Sequence, residues 1–586
     1  MTKTHGPASA SIATPTPLGR ASGGRLVEVR DMANSGTVDD TPAIKSEAPA
    51  QVRSTDSDIV RRIAKAAATD HQLKVLLRAV ASGNAGPAEL RRFQMHVDAL
   101  GQAPEEQQRK CRHASEYTQP FLTFINENPT VFHAVGYFES KLHKAGYLQL
   151  NERENWTTGK VKLERGGKYF LSRNGSSLIA FVVGEKYKVG DNGVGMVVGH
   201  IDALTARVKP VSKKANVEGY TMLGVAPYAG ALNNTWFDRD LGIGGRVIVK
   251  QSDGKIASRL VKLGWPIARI PTLAPHFGQP SYGPFNKETQ MVPVIGILGP
   301  LEEQQALEEH MKAHGANVGT FAATQPPKLV QLIAAELGVS DYSTILNWEL
   351  ELFDTQPGVT GGMSQEFIFA PRIDDKLCSW AAVEGLVEAT DLAAKGASVA
   401  LVGLFDDEEI GSRLRQGAAG NFLPGVVERI VDTFTENGQG RSNSLAQTYA
   451  NSFLLSADVT HAVNPNFVSA YLTDHMPKLN VGITISADSN GHMTTDSIST
   501  AFLSEVARKC GSELQVFQIR NDSRSGGTVG PMLSSAMGVR AIDAGLPQLS
   551  MHSIRATTGA LDPGLGTKLF RGFFELWEEV DAQFRE

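Results

Sequence analysis

Several apolar runs in this chain of 586 residues stop abruptly at a histidine or a carboxylate, and that pattern constrains the fold most. GMVVGH closes on His200 with Asp202 two positions on, and LVGLF runs into Asp406, Asp407, Glu408 and Glu409. SFLLSA runs into Asp458, and PQLSM into His552. Short apolar runs bounded by turn residues read as buried strands, and from about residue 371 onward they alternate with helical patterns. Strand–helix alternation over this length predicts an α/β fold with a layered sheet. In such sheets ligands gather at the carboxyl ends of strands, where these polar residues stand.

The length suits two or three domains. Residues 1–54 are rich in Ser, Thr, Pro, Gly and Ala, too poor in large apolar groups to bury a core, and read as a disordered low-complexity tail. Residues 55–112 read as a helical segment. Ile59, Ile63, Ala66, Leu73, Leu77 and Val80 keep alternating spacings of three and four, interrupted only by Asp70, which predicts an amphipathic helix with a coiled-coil-like seam. Gly83 to Pro87 breaks it, and a weaker pattern follows through Leu90, Phe93, Val97 and Leu100. The α/β domain is expected over 113–203 and 371–586, beginning with a helical stretch at 120–148 whose apolar side holds Phe121, Phe124, Ile125 and Phe132. Residues 204–370, with many Pro and Gly residues and few helical patterns, read as an inserted, mostly β domain.

Composition excludes several functions. The net charge is −5 and no long basic run is present, so nucleic acid is not an expected partner. Cys111, Cys378 and Cys510 lie far apart and outside any CxxC spacing, which argues against a disulfide framework or a thiolate metal site and for folding in a reducing compartment. No apolar secretory core opens the chain, and no window approaches the ~18 unbroken apolar residues of a transmembrane helix.

The polar strand endings suit metal chemistry. A ligating imidazole usually gives its second N–H to a carboxylate, and Asp202 is placed to receive it from His200. Glu408 and Glu409 follow an apolar run directly and should repel each other unless a cation is near. Where a strand yields to a loop, one of the two can ligate a metal while the other acts as general base. A charged surface loop is the plainer alternative. Asp374, in PRIDDK, can bridge two ions through its two oxygens, while Asp375 and Lys376 beside it could form an ordinary surface ion pair. Two dications bring four positive charges against the three negative ones of Asp374, Glu409 and Asp458, and a bound hydroxide closes the balance. Nitrogen and oxygen ligands without sulfur favour zinc, with manganese or cobalt as alternatives.

These residues sit in stretches that resemble the aspartyl aminopeptidase family, most closely its vacuolar members. The matching stretches are VGHIDALTARVKPVS, TWFDRDLGIGGRV, RIPTLAPHFG, FAPRIDDKLCS, LFDDEEIGS, LSADVTH, NPNF, NGHMTTD, NDSRSGGTVGP and QLSMHSIRATTG, in family order from about residue 115. The resemblance implies a zinc-exopeptidase fold and removal of N-terminal residues from peptides. It implies His200, Asp374 and Asp458 at one zinc, Asp374, Glu409 and His552 at a second, Glu408 as general base and Asp202 orienting His200. It further implies that the inserted domain mediates dimers, that six dimers build a homo-dodecamer, and that His276 reaches a neighbour's active site to stabilise the oxyanion. The helix over 55–82 would correspond to a propeptide helix engaging a selective autophagy receptor. Vacuolar residence after synthesis in the cytoplasm is then expected, with permanent cytoplasmic residence as the alternative.

Two departures bear on function. Where aspartate-specific members carry a Lys and a Tyr, this chain has Ser486 and Met493. Losing the buried cation predicts a preference for neutral, leucine-like N-terminal residues, since a buried charge without a partner is costly. Asp407 stands where members commonly have Asn, and would raise the pKa of Glu408. The competing readings are an acid-specific aminopeptidase and a particle-forming vacuolar cargo or scaffold with weak activity.

Overall fold

The computed structural model describes residues 112–435 and 440–584, with Val80 the one described position before them. The chain divides between Arg109 and Lys110 into two units, and the strands and helices from Ala114 onward belong to the second. The tail, both N-terminal helical patterns (Val80 apart) and Cys111 fall outside the described residues.

The expected helical stretch is two helices, Thr118–Glu127 and Val131–Lys144. Pro129 between them lacks the N–H that a continuous helix needs, and Thr130 caps the second helix by accepting from the His133 backbone N–H at 3.4 Å. Phe121, Phe124, Ile125 and Phe132 are all buried, and Phe121 meets Trp380 edge-on at 5.6 Å.

A nine-stranded sheet forms the centre of this unit. Its spatial order is Leu148–Gln149, Lys168–Arg173, Ser177–Val183, Val399–Phe405, Val194–His200, Phe453–Ser456, Arg540–Gly545, Thr484–Ala487 and Gln515–Gln518. The four strands from Val399–Phe405 to Arg540–Gly545 run parallel. Ser177–Val183, Val194–His200 and Val399–Phe405 are buried at every position, because both faces of the sheet are covered. Alternation divides each strand between two cores. Val197, Ala400 and Val402 pack with Trp380, Phe570 and Phe573 on one side. Met196, Val198 and Leu401 pack with Phe422, Val427 and Ile430 on the other. Each fully buried Val, Leu, Ile, Met or Phe side chain among them is worth about 1.5–3 kcal/mol. The expected layered α/β architecture is present.

A second sheet of six antiparallel strands spans residues 205–354, in the order Ile256–Lys262, Leu241–Lys250, Ile345–Asp354, Thr205–Lys213, Tyr220–Tyr228 and Val294–Ile297. It has its own core, in which Ile243, Val247 and Leu350 meet Leu329, Val330 and Ile333 of the helix Pro327–Leu337. This region therefore holds more helix than its sequence pattern predicts. Leu301–Ala313 is also helical but buries only Met311, so its apolar periodicity is faint. Val211, Ile256, Leu260 and Ile297 of this sheet are exposed. Among the described residues, no helix is long and apolar enough to cross a membrane.

Candidate metal centre

The parallel strands deliver the polar residues to one edge of the nine-stranded sheet. His200 ends its strand in register with Phe405, so the residues after Phe405 emerge beside it. Glu408 and Glu409 follow on a short turn entered through Asp407, whose φ is 65°. Asp458 lies two residues past the end of Phe453–Ser456. The run PQLSM departs from expectation. Only Pro547–Gln548 is strand, and the chain then turns through Ser550 and His552 with φ of 63° and 62°. His552 is therefore presented by a turn, where left-handed backbone costs of order 1–3 kcal/mol per residue and recurs at functional sites. Asp374 sits at the start of the helix Ile373–Lys395 in non-helical conformation, and its peptide bond to Asp375 is cis.

His200, Asp374, Glu409, Asp458 and His552, spread over some 350 residues of sequence, converge there. Nε2 of His200 stands 3.2 Å from Oδ1 of Asp374 and 3.6 Å from Oδ1 of Asp458. Nε2 of His552 stands 3.6 Å from Oδ2 of Asp374 and 3.7 Å from Oε2 of Glu409. Donor atoms around a tetrahedral zinc with bonds of ~2.0–2.1 Å lie roughly 3.3 Å apart, so each of these pairs has the spacing of two ligands on one metal. As complete groups within 4.8 Å, His200 gathers with Asp374 and Glu409 and, separately, with Asp375 and Asp458. The two oxygens of Asp374 face different histidines. Oε1 of Glu409 is buried without a hydrogen-bond partner, which suits a ligand set rather than a closed network.

Asp375 and Lys376, which as a pair could have been a surface ion pair, are 0% and 1% exposed. Lys376 Nζ donates to the Ile201 carbonyl at 3.0 Å and supports the chain between His200 and Asp202. Both Asp375 oxygens lack a hydrogen-bond partner, and its carboxylate falls within ligand distance of His200 and Asp458, so it joins the cluster although its sequence context gives no sign of it.

Outside this ring, Asp202 Oδ1 lies 3.2 Å from His200 Nδ1, in keeping with the HxD spacing. The Asp202 carboxylate also accepts from the Glu408 and Glu409 backbone N–H groups at 3.3 and 3.2 Å, tying the two loops together. Its Oδ2 accepts from the Tyr228 hydroxyl at 2.7 Å. Tyr228 comes from the second sheet, under the Arg207 guanidinium at 3.8 Å, and Arg207 pairs with Glu351 at 3.4 Å. Nothing local in YTMLGVAPY marks that tyrosine, so only the folded chain identifies it. Tyr228→Phe should lower zinc affinity or turnover by about 10–100-fold, the usual cost of losing an outer-shell partner. Zinc titration of the chelated variant reads it out.

The electrostatics are those of crowded acids. Burial pushes Glu408 up to about 8, opposed by His200 and reinforced by Asp458, Asp202 and Asp374. Burial and then Asp374 drive Glu409 well above the carboxylate range, and burial and then Asp458 do the same to Asp375. Burial alone would lower His200, yet Asp458, Asp202 and Asp374 outweigh it and hold the imidazole well above its ordinary value. Asp407 faces Tyr228 at 3.4 Å, and at Glu408 the leading contributions are burial and His200, followed by Asp458, Asp202 and Asp374.

A chamber opens from His200, Asp374, Glu408 and Asp458. Ser486 and Met493 both line it, with Val459, Phe517, Ile519 and Met551, and among the described residues no lysine or arginine does. His461 lines it as well, a residue that nothing inside LSADVTH distinguishes from a plain strand histidine. His276 is not part of this cluster. It is exposed on the turn Pro275–Phe277 beside Phe277, itself 67% exposed.

Comparison with known proteins agrees with this chemistry. The profile of the family "Aminopeptidase I zinc metalloprotease (M18)" matches residues 124–574. Vacuolar aminopeptidase 1 of Saccharomyces cerevisiae is 46% identical over 475 residues, 80% of this chain and 90% of its own. An aspartyl aminopeptidase of Aspergillus oryzae is 42% identical over 477 residues, covering 78% and 95%. Among solved structures, Chaetomium thermophilum mApe1 superposes with a TM-score of 0.73 at 55% identity, covering 81% of this chain and all of that one. The S. cerevisiae mApe1 dodecamer gives 0.70 at 41%, covering 80% and 99%. A cryo-EM complex of Ape4 and Nbr1 gives 0.75 at 36%, covering 81% and 88%. With a family match over most of its length and an assembled set of side chains able to hold a metal, the chain belongs to the M18 aminopeptidase I family of zinc metalloproteases.

Proposed function

We propose that this aminopeptidase holds two zinc ions and releases neutral, leucine-like residues from peptide N-termini. The observation that carries the two-ion reading is Asp374, whose Oδ1 and Oδ2 face His200 at 3.2 Å and His552 at 3.6 Å respectively. His200, Asp374 and Asp458 form one ligand set, and Asp374, Glu409 and His552 the other, with manganese or cobalt as substitutes. Zinc in such a site polarises the scissile carbonyl and lowers the pKa of bound water toward ~7. Glu408, at 3.9 Å from His200 Nε2, takes the proton of the attacking water and returns it to the leaving amine. Asp202 fixes the His200 ring, and His276 of a neighbouring copy supplies the oxyanion donor. An acetylated peptide should resist hydrolysis while its free-amine counterpart is cleaved. Equal cleavage of both would point to a carboxypeptidase, and removal of the acetyl group alone to a deacylase.

Selectivity follows from the chamber. Among the described residues no lysine or arginine lines it, and Asp543, which does, is itself acidic. A carboxylate entering would be desolvated without a partner, at a cost of at least about 3 kcal/mol or ~10²-fold. Leucine p-nitroanilide should therefore exceed aspartate p-nitroanilide in kcat/KM by that factor. Comparable values would favour the acid-specific reading.

The exposed apolar residues of the six-stranded sheet support dimerisation through it, and the dodecamer of the yeast relative supports assembly of such dimers. The vacuolar yeast relative supports vacuolar residence, and the complex of Ape4 with Nbr1 supports a receptor contact, which the sequence pattern over 55–82 assigns to the N-terminal helix.

A further inference from the structure

We infer that Asp543 is a positioning residue that shapes the chamber for the N-terminal side chain by fastening two of its walls to one strand end. The inference rests on the aminopeptidase reading above. Asp543 lies on Arg540–Gly545, is 1% exposed and lines the chamber, yet belongs to neither ligand set. Its Oδ2 accepts from the Thr494 backbone N–H at 2.5 Å and from the Thr494 hydroxyl at 2.7 Å. Its Oδ1 accepts from the Thr528 hydroxyl at 2.5 Å. Thr494 follows Met493, and Thr528 follows Gly526 and Gly527, and all of these but Thr494 face the chamber. One carboxylate therefore holds both the segment bearing Met493 and the glycine-rich segment opposite.

Two further contacts show that the arrangement is built. The Asp543 backbone N–H donates to the Thr495 hydroxyl at 3.2 Å, which itself donates to the Ser486 carbonyl at 2.6 Å and brings a third lining segment into the same network. Gly530, at the start of Gly530–Met537, approaches so closely that a Cβ there would stand 2.7 Å from Asp543 Oδ1. A buried carboxylate is costly and is kept where several donors converge on it. Here two of the converging donors belong to Thr494, next to the lining residue Met493, and the third to Thr528, which lines the chamber itself.

The test compares leucine and alanine p-nitroanilides on zinc-loaded full-length protein. Asp543→Ala should raise KM for the leucine substrate about tenfold and for the alanine substrate far less, since a loosened pocket loses grip on the larger side chain first. kcat and bound zinc should stay near wild type. Asp543→Asn, which can still accept from Thr494, should recover most of the loss. Thr528→Val removes one hydroxyl at nearly constant volume and should fall between. An unchanged leucine-to-alanine KM ratio in Thr528→Val overturns the inference, whether or not Asp543→Ala folds. So does equal loss of kcat on both substrates with loss of zinc. Failure of the wild-type protein to hydrolyse either substrate would instead sink the aminopeptidase reading itself, and the inference with it.

Discussion

Glu408→Gln should leave bound zinc at the wild-type level and lower kcat by ~10²–10⁴-fold, the range expected when a general base is removed. The substitution keeps the shape of the side chain and its approach to His200 at 3.9 Å, but the amide cannot take a proton from water. KM should change little, because the free amine and the N-terminal side chain are held elsewhere. The environment of Glu408 is suited to this task. Burial, with Asp458, Asp202 and Asp374 nearby, pushes its pKa up to about 8 in the metal-free protein, and added cations would draw it back toward a range useful near neutrality. Elemental analysis alongside initial rates separates the outcomes. A variant as active as wild type would remove Glu408 from the mechanism, whereas one lacking zinc would make it a ligand.

Asp374→Asn is expected to be more damaging to the site itself. Only a carboxylate offers equivalent anionic oxygens to two histidine-centred groups, and an amide nitrogen cannot ligate. Zinc content should fall, and activity should drop beyond the ~10–100-fold that follows loss of an outer-shell partner. Stability should follow. Zinc held at 1,000-fold over its Kd stabilises the native state by about 4 kcal/mol, which the variant or a chelator would forfeit. Calorimetry with and without chelator checks this, and a melting temperature indifferent to chelation in wild type would refute it. The sign of the pH effect is fixed by the same cluster. In the metal-free protein His200, Glu408 and Glu409 all have raised pKa values, so each holds its proton to higher pH than the free group would. Metal uptake must displace those protons, so affinity should rise with pH and fall on acidification. Calorimetric titration in buffers of different ionisation enthalpy would register the proton release.

Much of the architecture, and several of the residues that gather at the sheet's carboxyl edge, are legible in the unfolded chain. Val194–His200, Val399–Phe405 and Phe453–Ser456 announce themselves because a strand covered on both faces needs uninterrupted apolar residues, and the residue that ends such a run marks the sheet's carboxyl edge. That local rule is why His200, Glu408, Glu409 and Asp458 can be named from sequence. It works less well for His552, which left-handed turn residues present, and for the helix Leu301–Ala313, which buries only Met311.

Sequence by itself determined the long buried strands Val194–His200 and Val399–Phe405 and the acids and imidazole that stand just past them, because hydrophobic periodicity is set by near neighbours. Tertiary structure alone decided that Asp375 and Lys376 are buried, that Tyr228 crosses from another sheet to hold Asp202, and that Asp543 binds two loops rather than a metal. Those facts depend on contacts between residues far apart in the chain. The energy of such contacts is fixed by packing and desolvation, which no local pattern records.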